Sequence, residues 1–152
     1  MYRKPITYSL LMLLIVSLAA CGGSESGDAD APSQPEGLTA AQLENGIGPI
    51  ENLTLAALDT ELAAQGEELY TIKCSACHKM AERYVGPPLG TILANRTPAF
   101  VMNMILNPEE MVQKHPEARA LLAQYMTPMA NQNLTQEEAR AVLEYLRTVQ
   151  EE

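Results

Sequence analysis

Apolar residues in this chain recur at helical spacing, and no stretch shows the strict alternation of a surface strand. The periodic segments are residues 60–79, 97–107, 115–125 and 134–150. Loops rich in Gly and Pro separate some of these segments, as in "RYVGPPLGTI" at residues 83–92. The pattern predicts an all-α fold in which long loops connect short helices.

Helix-start signals support these segments. Thr60 is the expected N-cap of the first helix. Thr97 followed by Pro98 predicts an N-cap and a first helical residue. Thr135 and Glu138 have the spacing of a capping box, in which each side chain bonds to the other residue's backbone N–H. The first and the last of the periodic segments therefore both begin at a helix-start signal.

The first twenty residues have the pattern of an export signal. Arg3 and Lys4 precede the apolar run "LLMLLIVSLAA", which is about half the roughly 20 residues that a membrane span needs. The sequence "LAAC" ending at Cys21 resembles a bacterial lipobox. That resemblance implies cleavage before Cys21 and lipidation of its thiol. An ordinary signal peptide with a nearby cleavage site is the alternative.

Composition divides the rest of the chain into three parts. Residues 21–37 contain no aromatic or branched aliphatic residue, so they predict a flexible tether between a lipid anchor and a domain. Residues 38–60 mix apolar residues with a turn cluster and predict an ordered lead-in that packs on the domain. Residues 61–152 form the main domain.

Charge and compartment limit the possible functions. The formal net charge is −9 at pH 7, which argues against a nucleic-acid-binding surface. An export signal places the domain outside the cytoplasm, on the periplasmic side of a bacterial membrane.

The strongest chemical signal is the sequence Cys74-Ser75-Ala76-Cys77-His78. This C-x-x-C-H spacing indicates covalent attachment of haem. Two thiols three residues apart on a helical turn reach both vinyl groups of the porphyrin, and the adjacent His78 is placed to bind iron. The motif predicts one haem c.

Two other interpretations of the motif remain open. A thiol–disulfide pair of the thioredoxin type needs a βαβ context, and no strands are predicted. A zinc site would need Cys74, Cys77, His78 and His115 as its four ligands. The consecutive Cys77 and His78 are difficult to direct at one tetrahedral centre.

The neighbours of the motif extend it into a family resemblance. From Gly66 to Arg147 the chain resembles the class I cytochromes c of the short bacterial kind, and the stretches "GEELYTIKCSACH", "YVGPPLG" and "TPMANQNLTQEEARAVLEYLRT" occur in the family's order. The resemblance implies the cytochrome c fold, in which Gly66, Tyr70 and Tyr145 match a contact between the first and last helices. It also implies that the Pro87 carbonyl accepts a hydrogen bond from His78, with Pro88 as an alternative.

The sixth iron ligand is less determined. The resemblance implies a Met several residues before the last helix, and spacing favours Met129 over Met126. The remaining alternatives are His115 and an open position. We expect His115 to be solvent-exposed at the start of a helix, and Met102 and Met104 to serve packing.

These features predict a function in electron transfer rather than catalysis. The chain is expected to be a membrane-tethered mono-haem cytochrome c that carries single electrons between redox proteins, whose identity the sequence does not specify. The alternative is a haem enzyme or small-ligand-binding protein, peroxidase-like, with an open sixth position. A domain with no Trp and one Phe also has a thin core, which a covalent macrocycle would fill.

Overall fold

The computed structural model describes residues 37–150, and that part contains helices and no strand, so the predicted all-α class is confirmed. The proposed signal peptide, Cys21 and all of the tether except Gly37 lie outside the described residues. Within residues 37–150, no helix is long and apolar enough to span a bilayer. The helices are α1 (Ala40–Asn45), α2 (Thr60–Lys73), α3 (Ile92–Asn95), α4 (Pro98–Leu106), α5 (Pro108–Lys114), α6 (Pro116–Tyr125) and α7 (Gln136–Thr148).

Local hydrogen bonds explain where the helices begin. Thr97 caps α4 by accepting from the Phe100 N–H, and Thr135 and Glu138 form the expected capping box at α7. The N-cap of α2 is Asp59, whose carboxylate accepts from two backbone N–H groups of the first turn. The assignment of Thr60 as this cap was therefore wrong by one residue.

Helix α7 lies at the centre of the fold, where it packs against both α2 and α4. At its contact with α2, a Cβ at Gly66 would overlap the carbonyl oxygen of Ala141, so only glycine permits this approach. The rings of Tyr70 and Tyr145 pack beside this point with their centroids 5.3 Å apart. The main core cluster comprises Val101, Met102, Ile105, Ala139, Val142, Leu143 and Leu146.

The segment before α2 packs against α4. The buried Asn103 side chain donates to the carbonyls of Asn45 and Ile50 at 2.9 and 2.8 Å, and it accepts from the Ile50 N–H at 3.0 Å. Ile47 is buried, and its carbonyl accepts from the Asn107 amide at 3.1 Å. Two asparagine side chains thus supply hydrogen-bond partners that this irregular segment lacks within its own backbone.

His115 is buried, which contradicts the expected solvent exposure. It does precede a helix, and its Nδ1 accepts from the Glu117 N–H at the start of α6. The other ring nitrogen, Nε2, donates to the Leu43 carbonyl at 3.1 Å, and the ring packs edge-on against Phe100. The segment around α1 covers this histidine, and helix-start signals do not reveal such distant contacts.

Candidate functional site

The two thiols of the motif lie where α2 ends. Cys74 is the C-cap of α2, and the N–H groups of Cys77 and His78 both bond to its carbonyl, at 3.0 and 2.9 Å. These bonds close a hydrogen-bonded turn directly after the end of α2. Cys74, Cys77 and His78 all line the same cleft.

The chemistry of Cys74 separates haem attachment from thiol–disulfide exchange. Burial, with a smaller contribution from Cys77, raises the pKa of the Cys74 thiol to about 11. Catalytic dithiols instead have a lowered pKa, because the thiolate is the nucleophile. Before haem attachment, the Cys74 thiol therefore lacks the lowered pKa that an oxidoreductase of the thioredoxin type needs.

The surrounding backbone holds the ring of His78. Its Nδ1 lies 2.9 Å from the carbonyl oxygen of Pro87, to which it donates, and Nε2 is left to bind a metal. The expected acceptor is thus Pro87 and not Pro88. A Cβ at Gly86 would come within 2.5 Å of the ring, so the glycine leaves room for the imidazole. The Tyr70 hydroxyl donates to the His78 carbonyl at 2.7 Å.

Backbone pairing fastens the end of the motif to the following loop. The N–H of Gly86 bonds to the Cys77 carbonyl at 2.8 Å. Two further bonds join Leu89 to Lys79 and Gly90 to Met80, at 3.0 and 2.9 Å. The loop that supplies the Pro87 carbonyl is therefore held in place on both sides of that residue.

The cleft is large and apolar. Its empty volume is about 1220 Å³, including the part that opens to solvent. Its walls come from the motif, residues 85–92, α4, α5, α6, the 127–132 segment and α7. The larger apolar and aromatic side chains that line it are Val85, Leu89, Ile92, Phe100, Val101, Met104, Ile105, Val112, Leu121, Leu122, Tyr125, Met129, Val142 and Leu146. These walls fit a flat apolar macrocycle that two thiols hold at one edge.

The two candidate methionines differ in their surroundings. Met129 is half-buried and lines the cleft with His78. Met126 is 82% exposed and borders a separate surface groove formed with Val112, Arg119, Leu122 and Ala123. The ring nitrogens of His115, the other candidate, are both hydrogen-bonded elsewhere.

Most of the residues that form the cleft walls could not be identified from the sequence. Met104, expected only to pack, lines the cleft as well as packing beside the cluster of Ile47, Phe100, Met111 and Ala118. Met102, from the same helix, is buried in the main core as expected. Helix α4 is apolar on nearly all sides, so its periodicity does not separate a core face from a cleft face.

Comparisons with known proteins agree with this geometry. Residues 63–150 match the family model described as cytochrome c. The solved structure of a cytochrome c from Rhodothermus marinus is similar, with 43% sequence identity and a TM-score of 0.68, covering 72% of this chain and 95% of that chain.

An engineered form of the Rhodothermus marinus protein, Rma TDE, is also similar, with 42% identity and a TM-score of 0.68 over 72% of this chain and 96% of that chain. A second structure of that engineered protein, bound to the carbene intermediate 1-ethoxy-1-oxopropan-2-ylidene, has 42% identity and a TM-score of 0.66, with the same coverage. No curated protein sequence matches the chain.

Proposed function

The chain belongs to the cytochrome c family, and on that premise we propose that it carries single electrons between redox proteins outside the cytoplasm. Membership implies a covalently bound haem c, and Cys74 and Cys77 fit its attachment motif. When bound, the haem supplies an iron centre that exchanges one electron at a time.

We assign His78 and Met129 as the two residues that would bind the haem iron. The hydrogen bond from Nδ1 of His78 to the Pro87 carbonyl fixes the tautomer and orients Nε2 for coordination. Met129 is the candidate methionine that lines the same cleft as His78, and this observation carries the proposal. A thioether from Met129 and the apolar walls of the cleft would both favour the reduced form of a bound haem and so would raise its reduction potential.

The opposing candidate is the haem enzyme with an open sixth position. The structure that contains a carbene intermediate is that of an engineered relative. It describes the chemistry of that engineered protein. In this chain, Met129 lines the cleft, and both ring nitrogens of His115 are engaged elsewhere. These contacts favour the electron carrier, in which Met129 would bind the iron, over the enzyme.

A spectroscopic experiment tests the electron carrier against the enzyme. The chain is produced with a haem-attachment system, and its haem content is measured after denaturation. We expect one covalent haem, a weak far-red band of iron–thioether ligation in the oxidised protein, and no rapid binding of carbon monoxide after reduction. A Cys74→Ala variant is the control for attachment. A chain without covalent haem would overturn the assignment, and rapid carbon monoxide binding would favour the enzyme.

We further propose that Cys21 carries a lipid that tethers the domain to a membrane. The lipobox-like "LAAC" and the polar residues after it support this proposal. A Cys21→Ser variant is expected to leave the membrane fraction or to remain unprocessed. If a correctly cleaved Cys21→Ser protein stayed in the membrane fraction, the lipid anchor would be wrong.

A further inference from the structure

The two ends of α6 are held unequally. At its start, Ala118 is fully buried, and the buried His115 caps the helix by accepting from the Glu117 N–H. None of the last six residues of α6, 120–125, is buried. The end of α6 therefore has few core contacts that could keep it against the rest of the domain.

The end of α6 leads directly into the segment that carries Met129. Residues 126–135 connect α6 to α7, and the capping box that begins α7 anchors one side of this segment. On the other side, only three residues separate Tyr125 from Met129, and one of them, Pro128, has a restricted φ. Because this link is short and stiff, a displacement of the end of α6 also displaces Met129.

One side chain from a distant part of the chain holds this end of α6. The Arg83 guanidinium donates to the Gln124 carbonyl at 2.8 Å and lies 4.3 Å from the centroid of the Tyr125 ring. The Gln124 carbonyl is among the last four of the helix, which α6 cannot pair by itself, and a positive charge also suits the dipole at this end. We call the contacts of Arg83 with Gln124 and Tyr125 the Arg83 clasp.

The Arg83 clasp joins two walls of the cleft. Arg83 belongs to the loop after the attachment motif, and the same loop supplies Pro87, a wall residue whose carbonyl accepts from His78. Tyr125 is a wall residue supplied by α6. The clasp therefore ties the loop beside His78 to the helix that precedes Met129.

We propose that Arg83 is a positioning residue that keeps the Met129 side of the cleft closed to competing ligands. This inference rests on the proposed function, in which Met129 would bind the haem iron. An external ligand reaches the iron only when the segment with Met129 moves away, so its apparent dissociation constant is the intrinsic constant divided by the open fraction. By lowering the open fraction, the clasp raises that apparent constant and keeps Met129 in place for electron transfer.

The first test measures imidazole binding to the oxidised, haem-loaded protein. In Arg83→Ala the apparent dissociation constant is expected to fall about fivefold to tenfold, the scale of one charge-assisted hydrogen bond and one cation–π contact near a surface. Without imidazole, the far-red thioether band should remain, because the closed state still predominates. Arg83→Lys, which keeps the charge and a donor, should restore part of the change. A constant unchanged in Arg83→Ala would overturn the proposal.

Two controls separate the clasp from loss of charge and from general instability. Arg119→Ala removes the same charge from an exposed position on α6. Asn103→Ala weakens the segment before α2, away from the end of α6. Both variants are expected to leave the imidazole constant close to that of the parent. A fall in either control as large as that in Arg83→Ala would mean that charge or overall stability sets the opening, and the proposal would fail.

Amide hydrogen exchange gives a second readout that does not depend on the iron. The Met126 N–H bonds to the Leu122 carbonyl at 2.8 Å at the end of α6. In Arg83→Ala its exchange should become severalfold faster, because the end of the helix opens more often. Exchange at Arg119, whose N–H bonds to the His115 carbonyl at the start of α6, should not change.

The two readouts also separate this inference from the proposed function. Equal exchange at Met126 in the parent and in Arg83→Ala would overturn the clasp while leaving the electron carrier intact. A parent chain without covalent haem, or without the far-red band, would instead overturn the proposed function.

Discussion

At the scale of single residues, Met126 and Met129 are three residues apart but lie in different environments. Met129 lines the cleft, whereas Met126 ends α6 in a left-handed conformation with its side chain in solvent. Distance along the sequence does not separate them. The left-handed backbone conformation at Met126 separates the two side chains, because it changes the direction of the chain before Pro128.

Met129→Ala is predicted to abolish the far-red iron–thioether band. It should also lower the reduction potential and allow carbon monoxide to bind the reduced protein, because the cleft loses its thioether. The control, Met126→Ala, should retain the band and change the free energy of unfolding by no more than about 0.5 kcal/mol, as expected for a surface site. If the band disappeared only in Met126→Ala, the ligand would be Met126.

Glu144 is a second residue whose role depends on its neighbours. It is fully buried on α7, where its carboxylate pairs with Arg140 and Arg147 and accepts from the Asp59 N–H. Burial acts to raise the pKa of Glu144, but the hydrogen bonds from Arg140, Arg147 and Asp59 outweigh it and lower that pKa. The folded pKa is therefore below the unfolded one. The resulting stabilisation is complete above the unfolded pKa and is lost as the pH falls through the folded pKa.

Glu144→Gln is predicted to lower the free energy of unfolding by about 2 kcal/mol at pH 7, since it weakens hydrogen bonds to charged groups. The difference from the parent should shrink as the pH falls below about 4.3, the ordinary pKa of a glutamate. Denaturant titrations of the variant and the parent across this pH range measure the difference in their free energies of unfolding. Glu137→Gln, an exposed control in the first turn of α7, should have a small effect. A difference that stayed constant with pH would contradict the assigned charge state.

At the scale of elements, the crossing of α2 and α7 is the contact most sensitive to a small change. Gly66→Ala places a methyl group against the backbone carbonyl of Ala141, which cannot move without shifting α7. We predict a loss of more than about 3 kcal/mol in the free energy of unfolding of the haem-loaded protein. The control is Gln65→Ala, an exposed neighbour on the same helix. If the two variants had equal midpoints of unfolding, the prediction would be wrong, because α2 and α7 would then have to lie farther apart than they do in this structure.

The segment before α2 depends in the same way on Asn103. Asn103→Ala removes the partners of two carbonyls and one N–H, each of which costs about 1–3 kcal/mol when it is left buried and unsatisfied. We predict faster amide exchange at Ile50 and faster proteolysis between residues 45 and 58. Asn95→Ala, which loses one exposed bond to the Thr91 carbonyl, is the matched control. Unchanged exchange at Ile50 would mean that other contacts hold the segment.

At the scale of the whole molecule, folding and haem attachment should be coupled. Six parts of the chain contribute apolar walls to the cleft in addition to the motif, so without the macrocycle those walls would contact water. A Cys74→Ala, Cys77→Ala double variant is predicted to lose cooperative thermal unfolding and much of its helical circular dichroism. The haem-loaded parent is the control. A strongly helical double variant with a sharp thermal transition would disprove the coupling.

The sequence alone determined those features whose chemistry is carried by neighbouring residues. Two thiols and an imidazole within five residues predict covalent haem, because a helical turn brings such residues together in any fold. Thr97 and Thr135 cap their helices for the same reason, since the bonded N–H groups are three residues away. The capping box of Thr39 and Gln42, which begins the unpredicted α1, is equally local and could have been found from the sequence.

Only the tertiary structure decided which distant groups meet. His115 is buried because Leu43 lies over it, and Met129 is placed at the cleft because the chain turns at Met126. Asn103 and Glu144 are buried polar residues that each bond to the segment preceding α2. Burial depends on contacts between residues far apart in the chain, and the spacing of polar and apolar residues within one helix does not specify them.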